Sequence, residues 1–249
     1  MCFDTDSTPP IPAISGAAVS HDRLTLTATD GNEFAAFRAM PDGPATTGVV
    51  ILPDVRGLYR FYEELALRFA ERGHVAVAFD YFGRSAGVGE RDDDFDYKPH
   101  VDQTTPQGVQ TDVGACVEHV RELGCASTFT VGFCFGGSGS WASAAGGHGL
   151  QGAVGFYGRP SRMLDRVPHI EAPILALQAG ADQAISHEDN LELEQALREH
   201  GKEYELIEYE GAPHSFFDRK QKEFADASED AWRRVLEFIG RYERPPGRT

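Results

Sequence analysis

The sequence predicts an α/β domain, a mostly parallel sheet covered by helices on both faces. Three observations carry that expectation. Short apolar, β-branched runs such as "GVVILP" and "HVAVAFD" have the character of strands buried on both sides. Amphipathic stretches of helical length alternate with them, the order expected of parallel strands joined by crossover helices. Ahead of both lies a hairpin-like pair of segments, the sign of an antiparallel edge.

The first two strands lie in "RLTLTATDGNEFAAFRA", joined across Thr29-Asp30-Gly31-Asn32. "GVVILP" is the third. "YRFYEELALRFAERG" places Phe61, Leu65, Phe69 and Ala70 at helical spacing and closes on Gly73, so it reads as an amphipathic helix. "HVAVAFD" is the next buried strand. A helix over 107–123, a strand over 127–132, a helix from about Gly136 and a strand over 151–157 continue the alternation. The last part reads as a strand at Ile174–Ala179, a helix over 187–200, a strand over 203–208 and a helix over 222–241. Ser186 and Asp189 form a capping box for the helix at 187.

The segment 81–106 breaks this rhythm. Connections of that length are usually functional or disordered, and this one follows a strand's C-terminal end, where open α/β sheets bind ligands. Its acidic run, residues 91–96, has Tyr97 where a calcium loop needs glycine and lacks the closing glutamate. It reads as a solvated charged loop.

No repeat or linker divides the 249 residues, so one domain over 16–243 is expected, with flexible tails at 1–15 and 244–249. The 23 Lys and Arg against 39 Asp and Glu leave a net charge of −16, a surface that repels phosphate backbones and argues against nucleic acid as a partner. No run approaches the ~18 apolar residues of a membrane span. The opening "MCFDTDSTPPIPAISG" lacks the basic start and apolar core of a signal peptide. Cys2, Cys116, Cys125 and Cys134 form no CxxC pair and no zinc-type spacing, so no metal is expected. The expectation is a cytoplasmic protein, monomer or homodimer, with no membrane partner.

One cysteine is framed differently from the rest. In "VGFCFGGSGS", Gly132 and Gly136 flank Cys134 two residues away on each side, directly after a strand and before a small-residue helix. This is the pattern of a nucleophile elbow, whose sharp turn tolerates almost no side chain beside the apex. The helix N-terminus favours negative charge forming at the apex. A thiol with an ordinary pKa near ~8.5 still needs a base. In the elbow arrangement the partners follow in the order nucleophile, acid, histidine. Asp182, in "AGADQ", follows one strand and His214, in "EYEGAPHSFFD", follows the next. Cys134, Asp182 and His214 are the expected catalytic residues. By contrast Cys116 stands at helical spacing with Val113, Val117 and Val120, as core filling does.

With "GFCFGG", "AGADQ", "GAPHSF", "ILPDVRG" and "FDYFGR" in place, the chain resembles the dienelactone hydrolase family over roughly residues 20–240. The family is a cysteine-nucleophile branch of the α/β-hydrolases. The resemblance implies an eight-stranded sheet, the triad above, and hydrolysis of a small unsaturated lactone with no cofactor. It also gives Asp54 the place of a carboxylate that pairs with the resting thiol, and the backbone N–H groups of Val55 and Phe135 an oxyanion hole. The family's substrate carries a carboxylate held by arginines. Arg219, shifted by about one residue from the matching position, is one candidate here, as are Arg84 and Arg91 in the long loop. Tyr157 and Phe216, with Tyr81 and Phe82, are expected to line a compact aromatic pocket. Two alternatives stand beside this reading: a general small carboxylesterase on the same triad, and a redox-responsive thiol protein.

Overall fold

Neighbouring strand runs pair into one eight-stranded sheet, in a computed structural model that describes residues 3–17, 19–92 and 94–244. Val19–Thr27 (β1) and Glu33–Pro41 (β2) form the antiparallel edge, and β2 runs antiparallel beside Val75–Phe79 (β4). Thr47–Leu52 (β3), Ser127–Phe133 (β5), Gly152–Phe156 (β6), Ile174–Ala179 (β7) and Tyr204–Tyr209 (β8) continue in parallel. The spatial order is β1-β2-β4-β3-β5-β6-β7-β8. The strands β3 to β7 are buried along their whole length, which is why their sequences are mostly apolar instead of alternating, with Thr47, Ser127, Thr128, Thr130 and Gln178 as buried polar exceptions.

Helices Arg60–Ala70 (α1), Gly83–Ala86 (α2), Lys98–Val101 (α3), Pro106–Glu122 (α4), Phe135–Ser143 (α5), His187–Glu199 (α6) and Ala225–Tyr242 (α7) complete the layers. On one face Phe61 and Leu65 of α1 and Val235 and Phe238 of α7 join Val49, Ile51, Phe129 and Val131 in one core. On the other, Val113 and Val117 of α4, Trp141 of α5 and Leu193 of α6 join Val50, Leu52 and Val77. Alternate residues of one strand thus serve the two cores. The Ser186–Asp189 capping box forms at the start of α6.

Two segments differ from their expected character. Among its described residues the long connection holds the single turns α2 and α3, yet it is packed: Arg91 pairs with the buried Asp80 at 2.8 Å, and Phe95 stacks on His100. Asp93 of its acidic run lies outside the described residues.

The second is the N-terminal segment. Residues 3–11, expected as part of a loose tail, lie against the domain with Phe3 and Ile11 buried in the α1 core. Ser7 Oγ donates to Asp218 Oδ2 at 2.6 Å, the Arg219 N–H to the Thr8 carbonyl, and Lys220 pairs with Asp4 and Asp6. Isolated apolar residues in a polar segment have no period, so their docking leaves no local signal. Cys2 and residues 245–249 lie outside the described residues. Among the described residues, no helix is long and apolar enough to cross a membrane.

Candidate active site

A single residue, Cys134, separates β5 from α5. Its φ of 55° and ψ of −111° are strained for a residue with a side chain. The flanking glycines make the turn possible. A Cβ on Gly132 would stand 1.9 Å from the Gly136 carbonyl oxygen, and one on Gly136 would stand 2.2 Å from the Leu52 carbonyl oxygen. The Cys134 N–H donates to the Phe156 carbonyl at 3.0 Å, and the Cys134 carbonyl accepts from the Gly137 N–H at 3.0 Å. The turn is therefore held from both sides.

Parallel pairing of β7 and β8 brings the next two loops together. The Ala181 N–H donates to the Ala212 carbonyl at 2.9 Å, and His214 Nδ1 lies 2.6 Å from Asp182 Oδ2. The other Asp182 oxygen accepts from the Ala184 N–H at 2.8 Å, and His214 also hydrogen-bonds the Cys134 thiol. Cys134, Asp182 and His214, scattered in sequence, thus form one chain of contacts. Burial by itself lowers the pKa of His214, but its bonds with Asp182 and Cys134 outweigh that and raise it from 6.5 to about 9. Burial pushes Asp182 up, and the His214 and Ala184 hydrogen bonds more than offset it, leaving the carboxylate below its usual range.

Asp54 lies in the loop after β3, fully buried and near enough to Cys134 for their charges to interact. Its two oxygens accept from the Arg56 N–H at 2.8 Å and from the Tyr59 hydroxyl at 2.7 Å. Burial raises its pKa to about 6 against the pull of these bonds. The Asp54 N–H donates to the Tyr62 hydroxyl at 2.8 Å. The sequence reading did not single out Tyr59 and Tyr62; their only signal was their place at the start of the helix following this loop.

β3 and β5 are neighbours with Leu52 opposite Gly132, and Val55 and Phe135 each lie three residues further on, Val55 in the loop after β3 and Phe135 at the start of α5. Neither N–H donates to any described residue. Both N–H groups thus stand beyond the ends of neighbouring strands, with no acceptor among the described residues.

The expected substrate contacts are placed differently. Tyr157, at φ 36°, sets its ring 4.8 Å from the His214 ring, and Phe216 packs against Tyr157. Both are fully buried, so they wall the imidazole from behind instead of lining an open pocket. The Tyr81 hydroxyl donates to the Pro53 carbonyl and its ring packs on Phe135, while Phe82 is buried against Phe95. Arg84 is committed to Asp112 and Asp30. Arg219 donates to the Ile11 carbonyl, fastening the N-terminal segment. Arg84 and Arg219 thus meet carboxylates or a carbonyl of the chain itself.

The model of the dienelactone hydrolase family matches residues 34–243. A carboxymethylenebutenolidase of Rhodococcus opacus is 30% identical over 97% of both chains. Two solved structures share the fold. One is a dienelactone hydrolase-like promiscuous phosphotriesterase from metagenomic libraries, with a TM-score of 0.79, 20% identity, and coverage of 92% of this chain and 100% of the other. The second is a dienelactone hydrolase from Anabaena variabilis, with a TM-score of 0.72, 17% identity, and coverage of 91% and 99%. The eight-stranded α/β architecture, the elbow and a match to most of the chain agree: this protein belongs to the dienelactone hydrolase family.

Proposed function

We propose that this ester-bond hydrolase acts on a small lactone or ester through Cys134, His214 and Asp182, by way of a thioester. Cys134 Sγ gives its proton to His214 and attacks the carbonyl carbon. The carbonyl oxygen becomes an oxyanion held by the Val55 and Phe135 N–H groups, each such donor contributing roughly 10²–10³ in rate. As the tetrahedral adduct collapses, the C–O bond breaks and the imidazolium protonates the leaving oxygen. In a lactone that oxygen stays attached to the acyl chain. Water, giving a proton to His214, then attacks the thioester, and the acid leaves as the thiol regains its proton. Asp182 keeps Nδ1 protonated and offsets the imidazolium charge.

The observation that carries this reading is the contact chain itself: a thiol at a strained apex, hydrogen-bonded to a histidine that is 2.6 Å from a buried carboxylate. Against a thiol relay, Cys116 and Cys125 are packed in the core on the opposite face of the sheet. The family relative named carboxymethylenebutenolidase supports a lactone as the substrate class.

The test is to quench turnover of a small activated ester in acid and weigh the peptide carrying Cys134. An acyl adduct there, absent in Cys134→Ala along with turnover, is the expected result. Undiminished hydrolysis by Cys134→Ala in a folded protein refutes the assignment.

A further inference from the structure

Among the described residues, the non-glycine positions with positive φ are Cys134 at 55°, Tyr157 at 36° and Ser215 at 62°. All belong to the site: the thiol, the ring packed on His214, and the residue that follows His214. Backbone strain of this kind persists only where the surroundings over-determine it. Part of the holding comes from the sheet. The Tyr157 N–H donates to the Leu177 carbonyl at 2.8 Å, and Gln178 Nε2 donates to the Gly158 carbonyl at 3.0 Å.

A second contribution comes from the N-terminal segment, which precedes the family-matched region 34–243. Phe3 is 4% exposed and meets four rings from different parts of the site. It stacks on Phe61 at 3.9 Å and stands 6.4 Å from Tyr62, whose hydroxyl accepts the Asp54 N–H in the loop of Val55. It lies 6.1 Å from Phe133, the residue before Cys134, and edge-on to Tyr157 at 6.3 Å. These separations are those of packed aromatic pairs.

A few residues on, the same segment is tied to the loop that carries His214. The buried Asp218 accepts the Ser7 hydroxyl on Oδ2 at 2.6 Å. Its Oδ1 accepts the Thr8 and Lys220 N–H groups at 3.3 and 3.1 Å. The Arg219 N–H donates to the Thr8 carbonyl at 2.9 Å. A buried carboxylate stripped of two of these donors is costly, so the segment and the histidine loop are held together. The two attachments bracket the strained turns. Phe3 touches Tyr157 and the strand end before Cys134, and Asp218 lies three residues past Ser215.

Resting on the hydrolase reading above, we propose that Phe3 and Ser7 are positioning residues for the reaction. Through Phe133, Tyr157 and Asp218 they keep the strained turns in place, and with them His214 against Cys134. The N-terminal segment then touches no substrate, and its effect falls on turnover.

The test measures kcat and KM for a small activated ester, and the imidazole NMR titration of His214, in the intact folded chain. Phe3→Ala and Ser7→Ala are each expected to lower kcat by roughly tenfold or more at nearly unchanged KM, since a misplacement of about 1 Å can cost ~10²-fold. Phe3→Leu and Ser7→Thr restore part of the loss. In both Ala variants the His214 midpoint moves down from about 9 toward 6.5 as its contacts loosen. Leu197→Ala opens a cavity in the core on the opposite face, and is expected to keep kcat within about twofold and the midpoint in place. Unchanged kcat and midpoint in Phe3→Ala and Ser7→Ala, or an equal loss in Leu197→Ala, overturns the positioning role while leaving the hydrolase reading intact. Normal turnover by Cys134→Ala overturns the hydrolase reading, and the His214 midpoint then still decides the role of the segment.

Discussion

Cys116 sits in the interior of α4, in the core that also holds Val113, Val117 and Val120, and burial pushes its thiol well above the ordinary range. Cys134 sits at the end of β5 on a strained backbone, ahead of the N-terminus of α5 and in contact with His214. Cys116 lies in an unstrained helix with its thiol packed in an apolar core. At the elbow the backbone departs from its usual geometry, the glycines permit a close approach, and polar groups converge. The same residue type is inert filling in one place and a candidate nucleophile in the other, and the difference lies in the backbone that carries it.

Four experiments break or sharpen that contrast. The largest effect is expected from adding one methyl group in each region. Gly132→Ala drives a Cβ against the Gly136 carbonyl oxygen at 1.9 Å and is expected to cost more than about 4 kcal/mol or to prevent folding. Gly114→Ala in α4 meets nothing closer than 3.6 Å and is expected to be neutral or to stabilise by up to about 1 kcal/mol. Denaturant melts of both variants check this; equal effects would remove the argument from backbone crowding.

Next come the thiols themselves. Cys134→Ala is expected to lower kcat/KM by roughly 10³-fold or more, whereas Cys116→Ala should leave it within about twofold and cost about 1–2 kcal/mol of stability through the cavity it creates. Ester turnover and urea unfolding separate the two. Comparable activity loss in both would contradict the contrast.

The third effect concerns His214. Its pKa of about 9 in the folded protein stands above the 6.5 of a free imidazole. The protonated form therefore contributes to stability below pH 6.5, and that contribution is lost as pH rises through about 9. At most it amounts to about 3 kcal/mol. Removing a partner, in Asp182→Asn or Cys134→Ala, is expected to shift the midpoint of an imidazole NMR titration downward. A midpoint that stays near 9 in both variants would sink the coupling.

The smallest effect belongs to Asp54, raised by burial from 3.8 to about 6. A raised carboxyl favours the folded state below pH 3.8 and loses that advantage as pH rises through about 6, so at neutral pH the ionised group is a burden. Asp54→Asn is expected to stabilise the fold by about 1–3 kcal/mol at pH 7, with the gain shrinking toward pH 4. Thermal melts across that range test the sign.

The layers and the elbow were legible because each rests on a local pattern. Continuous apolar runs mark buried strands, the spacing of Phe61, Leu65 and Phe69 marks one helix face, and glycines around Cys134 mark a turn that excludes Cβ atoms. The order Cys134, Asp182, His214 with a strand before each was also a one-dimensional fact. The docking of Phe3 and Ser7 was not, since one ring and one hydroxyl in a polar segment form no period. Nor was the fate of the arginines. Arg56, Arg84, Arg91 and Arg219 read alike along the chain, and only folding brings Asp112, Asp80 and the Ile11 carbonyl to three of them.

What the sequence determined alone, then, is what nearest neighbours and short periods enforce: the strand and helix alternation, the strained apex, and which loops head the sheet's C-terminal edge. The tertiary structure alone decided which charges are spent and which remain available. It paired Arg84 and Arg91 with acids, gave the Asp54 oxygens to Tyr59 and the Arg56 N–H, and left the Arg56 side chain with donors unused. The physical reason is range. Backbone geometry and hydrophobic periodicity act between residues close in sequence, whereas a guanidinium's partner is whichever acceptor the completed fold places within about 3 Å.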